Sequence, residues 1–449
     1  MTTVWAIFLS LGYFLFVHLL KAKVLQRTHA FTLLAASPLV SNIPVGYFYG
    51  WGSWAGTSKG FGITIISILS IALLRTSART AAKFPFWWLL ALYGSAHLLS
   101  VFASRLWLPT IFVWWQFATL IPVVLVIAKE GSQPKIRRAI FAGLAIGLAY
   151  QASHSLFQKL GGVTQAAGTF HHQNILGLAV ELALLPLLAM AFSGQRDKFA
   201  YVGIISGLIC VAGSGSRATM GIVAVSIILL AILSLARSVT PRKLASAFAG
   251  VALLAAATPF ALATLEDRFQ GSSFMVEDTG RIQFEKAAEA ISDDNPLGVG
   301  SNNYVFVSNT EGYADRFALG WQISNRSVPV HNAYLLARAE TGRFGEIAFT
   351  LIFVIPIVAA IAVAFRNRKF EGGDFLIGYA MAFVAVLFHN SYEYAVHTLF
   401  IQALSFIILG LIASEIHSGR AYRTKKSFKR RSNLDAGSRA QIPLESQRS

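Results

Sequence analysis

The sequence predicts an all-α membrane protein: a bundle of about 11 to 13 transmembrane helices with one long, partly helical loop. Apolar runs recur along most of the chain, and a helix of about 20 apolar residues spans a hydrocarbon core roughly 30 Å thick. Of the 449 residues, 55% are hydrophobic and only 13% are charged, and the mean hydropathy is +0.57. A soluble domain could not bury that much apolar surface, so lipid is expected to cover the bundle.

Positive charge is concentrated at the ends of the apolar runs. The net charge of +17 comes from short basic loops, for example around Lys21, Arg138, Arg237 and Lys369, and from a basic tail that begins at Arg420. Basic residues beside membrane spans mark the cytoplasmic side. We therefore expect a membrane protein whose C-terminus is cytoplasmic and whose long loop lies on the outward side. Membrane lipids are the expected partners of this charge, and nucleic acid is not.

The predicted organisation has four parts. Residues 1–264 form the N-terminal spans, 265–344 the long loop with short helices, 345–416 the C-terminal spans, and 417–449 a basic, disordered cytoplasmic tail. The stretch from Phe31 to Tyr49 contains Pro38, Asn42 and Pro44, and proline interrupts a helix. It is predicted to be either a kinked span or a re-entrant segment.

The long loop, which we call the insert, has its own helical pattern. Between Ile282 and Ile291, apolar residues recur at the spacing of one helix face, which predicts a short amphipathic helix. Asp293-Asp294-Asn295-Pro296 is expected to end this helix. Leu297-Gly298-Val299-Gly300 then predicts a tight turn that allows close backbone approach.

Polar residues gather at predicted helix starts on the side of the insert. His171, His172 and Asn174 precede an apolar run, and either cap its helix or form a lip that faces a substrate. Arg217 follows the short turn Ser214-Gly215-Ser216 at the membrane surface. Its guanidinium either reaches for lipid headgroups or binds a phosphate beside the helix N-terminus, and we favour a diphosphate. Arg281 is a second candidate anion ligand.

His331 closes the insert. Histidine exchanges a proton near neutral pH, as a general base requires, although a lone histidine at a helix start is more often a cap or a surface residue. Asn332 follows it, and Tyr334 and Arg338 come one and two helical turns later, so they are candidates for positioning a sugar or lipid.

Taken together and in this order, these motifs resemble the O-antigen ligase and polymerase superfamily. The similarity covers roughly Gly168 to Glu415, and the N-terminal half matches only in hydropathy. The resemblance implies a bacterial inner-membrane glycosyltransferase whose long loop is periplasmic and whose donor glycan is carried on undecaprenyl diphosphate. It further implies that Arg217 and Arg281 hold the donor diphosphate and that His331 activates an acceptor hydroxyl, by an inverting reaction that needs no metal and no cofactor.

Two reactions of this superfamily remain open. A ligase transfers a whole glycan to lipid A core, whereas a polymerase joins repeat units of O-antigen or exopolysaccharide, and we lean toward the ligase. A lipid-linked oligosaccharide flippase or transporter is an alternative of another class. This alternative is disfavoured because transporters distribute polar residues along several spans and in related halves, whereas here the polar residues are concentrated on one face.

Overall fold

The computed structural model describes residues 2–40, 45–78, 84–195, 197–252, 255, 273–320 and 326–439. Most of these residues are helical. Parts of the predicted insert (265–272 and 321–325) and of the tail (440–449) lie outside the described residues. The helices are α1 (Thr2–Lys21), α2 (Arg27–Ala36), α3 (Ile65–Arg75), α4 (Trp87–Leu99), α5 (Trp107–Glu130), α6 (Pro134–Leu160), α7 (Gln173–Ser193), α8 (Lys198–Ser214), α9 (Arg217–Arg237), α10 (241–252), α11 (Ser273–Asp294), α12 (Tyr304–Thr310), α13 (Tyr313–Arg316), α14 (Ala333–Arg366), α15 (Gly373–His389) and α16 (Leu399–Arg439).

The predicted fold class is confirmed. Among the described residues, seven helices are long and apolar enough to cross a membrane: α1, α5, α6, α7, α9, α14 and the first part of α16. Four shorter apolar helices, which contain α3, α4, α8 and α15, accompany them, and the predicted number of 11 to 13 spans stays a prediction. α14 and α16 run across the predicted boundaries at 344 and 416, so the four-part division and the disordered tail stay predictions.

The stretch from Phe31 to Tyr49 does not form one helix. α2 ends at Ala36 and is followed by a 3-10 turn over Ser37–Leu39, because Pro38 cannot donate the next backbone hydrogen bond. Strand β1 (Gly46–Gly50) then pairs antiparallel with β2 (Gly60–Ile63), with Tyr47 opposite Gly62. The all-α prediction missed this small hairpin.

Two ends of the bundle can be told apart by their polar contacts. At one end, buried ion pairs tie helix ends together: Arg237 and Lys243 each lie 2.8 Å from Asp374, and Arg137 lies 2.5 Å from Glu415. The insert lies at the other end, where α7 and α9 begin and α15 finishes. We call this other end the insert end.

The insert has a small hydrophobic core of its own. Phe284, Ala287, Ala288 and Ile291 of α11 are buried in it, which confirms most of the predicted apolar face. Ile282, which was predicted to belong to this face, is exposed, and the helix is longer than predicted and starts at Ser273. It stops at Asp294, before Pro296. The predicted turn follows, with left-handed backbone at Gly298 and Gly300.

α14 is interrupted at Gly342, where φ is +68° and ψ is −177°. A Cβ at this position would lie 2.6 Å from the carbonyl oxygen of Pro296, so the close approach of the insert turn requires glycine. Arg338 and Glu346 form a two-point ion pair across the break, with both nitrogen–oxygen distances 2.7 Å. The first part of α14 packs on both cores: Leu336 and Ala339 lie in the insert core, and Ala333 and Ala337 lie in the bundle core.

Candidate functional site

A cavity of about 550 Å³ opens at the insert end. It brings together four residues singled out in the sequence, His172, Asn174, Arg217 and Arg281, which come from three separate segments. Its lining consists of Gln165, His172, Gln173, Asn174, Ser216, Arg217, Ala218, Gly221, Ile222, Arg281, Phe388 and Tyr392.

Two helices begin side by side at this cavity. His172 caps α7, where its Nδ1 accepts a hydrogen bond from the Asn174 N–H at 3.3 Å, and Ser216 caps α9 by accepting from the Thr219 N–H at 3.3 Å. The Ser216 hydroxyl donates to Asn174 Oδ1 at 2.9 Å and so links the two helix starts. Both helix dipoles present their positive ends to the cavity, which favours an anion there.

The turn between α8 and α9 places Arg217 at the cavity. Gly215 adopts left-handed backbone with φ +58°, which ends α8 and lets the chain reverse at once into α9. Arg217 is then the first residue of α9 and is half-buried. His172 caps α7 and, like Arg217, also lines the cavity. The two predictions for His172, a helix cap and a residue that faces a substrate, are therefore compatible.

Arg281 reaches the cavity from the insert. It lies on α11 one turn before Phe284, whose side chain is buried in the insert core. Packing of this apolar face fixes the helix, so the half-buried Arg281 is held on the side that faces the cavity. Two guanidinium groups and two helix N-termini thus surround one space.

His331 stands beside the cavity, although it is not part of the lining. Its ring centroid lies 6.4 Å from that of His172, 6.0 Å from that of Phe284 and 5.6 Å from that of Tyr394. The side chain retains 26% exposure. Aromatic contacts on several sides hold the imidazole in place while solvent or a substrate can still reach it.

Glu393, which the sequence analysis did not single out, lies between the two histidines. Its side chain is only 1% exposed, with Oε1 3.6 Å from His331 Nδ1 and Oε2 3.7 Å from His172 Nδ1. Burial acts to raise the pKa of the Glu393 carboxyl, but the neighbouring His331 and His172 and the Tyr394 backbone N–H outweigh it and hold that pKa below its usual value. The sequence feature that could have indicated Glu393 is its position: it is an acidic residue just after an apolar span, on the side of the insert.

The remaining candidates lie outside the cavity lining. His171 is exposed. Asn332 caps α14, with Oδ1 accepting from the N–H groups of Tyr334 and Leu335 at 3.1 and 3.2 Å. Tyr334 donates its hydroxyl to Leu387 O at 2.7 Å, and Arg338 pairs with Glu346.

Tyr334 and Arg338 do not share a helix face with His331, because His331 precedes Asn332, the cap of α14. The substrate-positioning roles of His171, Asn332, Tyr334 and Arg338 stay predictions. Within the described ranges, no three His, Cys, Asp or Glu side chains are grouped so that they could hold a metal ion. The expectation of a reaction without a metal likewise stays a prediction.

One region of the chain matches a known protein family. Residues 202–350 match the family model described as Wzy_C, O-antigen ligase, and this region includes Arg217, Arg281 and His331. No match is found among curated proteins. Residues 202–350 of this chain, which carries a bundle of apolar helices, are therefore similar to the O-antigen ligase family.

Proposed function

We propose that this protein transfers a glycan from undecaprenyl diphosphate to a sugar hydroxyl, as an O-antigen ligase does. The observation that carries the proposal is that Arg217 and Arg281 line one cavity next to His331. A diphosphate carries several negative charges, and the two guanidinium groups and two helix N-termini can hold it there.

The proposed reaction is a single displacement. The acceptor oxygen attacks the anomeric carbon, the bond from that carbon to the diphosphate oxygen breaks, and the electron pair leaves with the diphosphate. Arg217 and Arg281 stabilise the charge that develops on the leaving group. The hydroxyl proton passes to His331, and attack from the face opposite the diphosphate inverts the anomeric centre.

Glu393 is proposed to orient this base. Nδ1 of His331 is the ring nitrogen near the carboxylate, so a proton on Nδ1 faces Glu393 and Nε2 is left to accept the proton of the acceptor. The carboxylate then stabilises the imidazolium that forms. Glu393 acts through His331 and is a positioning residue.

The test is glycan transfer with the purified protein, an undecaprenyl-diphosphate-linked glycan and either lipid A core or a second repeat unit as acceptor. Transfer to lipid A core that is lost in His331→Ala supports the ligase. Elongation of repeat units supports a polymerase instead. Full activity of His331→Ala, or no transfer to either acceptor by the wild type, overturns the proposal.

We further propose that the insert is periplasmic and that the opposite end faces the cytoplasm, in agreement with the basic loops. The single cysteine of the chain, Cys210, is fully buried, so introduced cysteines can be labelled selectively. In intact cells with a permeabilised outer membrane, an impermeant maleimide should label Leu297→Cys in the insert and spare Lys369→Cys between α14 and α15. The reverse pattern would invert the topology.

A further inference from the structure

A second histidine–carboxylate pair lies beside the candidate site. Nδ1 of His389, the last residue of α15, lies 2.8 Å from Oε1 of Glu181 on α7, and both side chains are 0% exposed. Ionisable groups inside a membrane bundle are expensive to bury, and those that persist are generally functional. In the sequence, Glu181 is nearly the only carboxylate well inside an apolar run.

The pair lies beneath the cavity. Glu181 follows the cavity residue Asn174 by about two helical turns along the same face of α7. On the other side of the pair, Phe388 directly precedes His389 and Tyr392 follows it by three residues, and both Phe388 and Tyr392 line the cavity. The contact between Glu181 and His389 therefore links the middle of α7 with the end of α15, next to residues that line the cavity.

His389 also begins the turn that carries Glu393. The Tyr392 N–H donates to His389 O at 2.9 Å, and Asn390 O accepts from the Ala333 N–H at 2.8 Å, two residues after His331. The charged groups that act on His389 are Glu181 from α7, Arg281 from α11, and Glu393 from the turn itself. His389 is therefore electrostatically linked to the proposed donor site and to the proposed base.

The pair is poorly suited to a purely structural role. Oε2 of Glu181 and Nε2 of His389 are buried and have no hydrogen-bond partner among the described residues. Leaving buried polar atoms unsatisfied costs stability, and apolar side chains of similar size would pack here without that cost.

We propose that Glu181 and His389 are a positioning pair for glycan transfer: they fix the turn from His389 to Tyr394 so that Glu393 faces His331. This inference rests on the proposed function and adds two residues to the same site. Because the pair acts through Glu393 and His331, it should affect turnover more than donor binding.

Glu181→Gln is the most specific test of the pair. It keeps the shape of the side chain and a hydrogen-bond acceptor for His389, but it removes the carboxylate charge. We expect its kcat to fall about 10-fold or more while KM for the donor stays within about threefold. We also expect the acidic limb of its pH–activity curve to shift. Exchanging the partners, in the double variant Glu181→His/His389→Glu, should recover part of the lost turnover.

Glu415→Gln is the matched control. It removes the charge of a buried carboxylate that is paired with Arg137 at the opposite end of the bundle. Activities are compared per amount of monodisperse protein, so that loss of folding is separated from loss of turnover. Equal losses in Glu181→Gln and Glu415→Gln, or wild-type kcat and pH dependence in Glu181→Gln, overturn the inference.

A second readout separates this inference from the proposed function. The imidazole NMR signal of His331 is recorded in protein with isotope-labelled histidine, and it is assigned as the signal that is missing in His331→Ala. A shift of this signal in Glu181→Gln supports positioning even if the wild type transfers no glycan, in which case the proposed function alone fails. An unmoved signal together with unchanged turnover overturns the positioning pair.

Discussion

His331 and Glu393 face each other at the edge of the arginine-lined cavity, with Nδ1 of the histidine 3.6 Å from Oε1 of the carboxylate. Glu393 is buried, whereas His331 keeps part of its surface exposed. These two environments suit the proposed roles, because a base must meet its substrate and the carboxylate must hold the base in place.

Replacing His331 by alanine is predicted to lower glycan transfer by about 10²- to 10⁴-fold, the usual contribution of a general base. Donor binding should be retained, because the arginines remain. The measurement is initial transfer rate beside equilibrium binding of the lipid-linked donor. His29→Ala is the matched control, since His29 is exposed on α2 and outside the cavity lining, and it should behave like wild type. A His331→Ala variant with wild-type rates contradicts the assignment.

Arg217→Lys and Arg281→Lys are each predicted to weaken donor binding or turnover by about 10- to 100-fold. Lysine keeps the charge but cannot reproduce the planar, two-point contact with a phosphate. Arg105→Lys is a suitable control, because Arg105 pairs with Glu311 on the insert at 2.6 Å and does not line the cavity. Unchanged kcat/KM in both cavity variants would show that the diphosphate binds elsewhere.

Glu393 should make stability depend on pH. The pKa of its carboxyl is below the ordinary value of 4.5, so the carboxylate stabilises the folded state above that value. This contribution is lost as the pH falls through the lowered pKa. The difference in unfolding temperature between wild type and Glu393→Gln should therefore be largest above pH 4.5 and shrink as the pH falls below that value. A difference that grows on acidification contradicts the assignment.

Asp374→Ala is predicted to destabilise the fold by about 3 to 5 kcal/mol, because it leaves the buried Arg237 and Lys243 without their carboxylate. Chemical unfolding in detergent measures the loss. Asp315→Ala, which removes a half-exposed partner of Arg326, should cost much less. Equal losses in the two variants would mean that burial of the pair is unimportant.

Gly342→Ala is predicted to cost about 1 to 3 kcal/mol, because alanine resists the positive φ and its Cβ would approach Pro296 O. The break also holds the first part of α14, and with it His331, against the insert, so turnover should fall as well. Gly12→Ala is the control, since nothing lies within 4 Å of a Cβ there. Normal stability in Gly342→Ala would mean that the two parts of α14 can straighten.

The sequence by itself determined the fold class, the amphipathic face of α11 and the turn after it, because hydropathy, helical spacing, proline and glycine act over a few residues. It also singled out Arg217, Arg281 and His331. Only the tertiary structure decided which polar residues share a site. It placed His172 and Asn174 at the cavity with the arginines and left His171, Tyr334 and Arg338 outside its lining. It also brought Glu393 between two histidines and Glu181 to His389, contacts between residues far apart in the chain that no local pattern records.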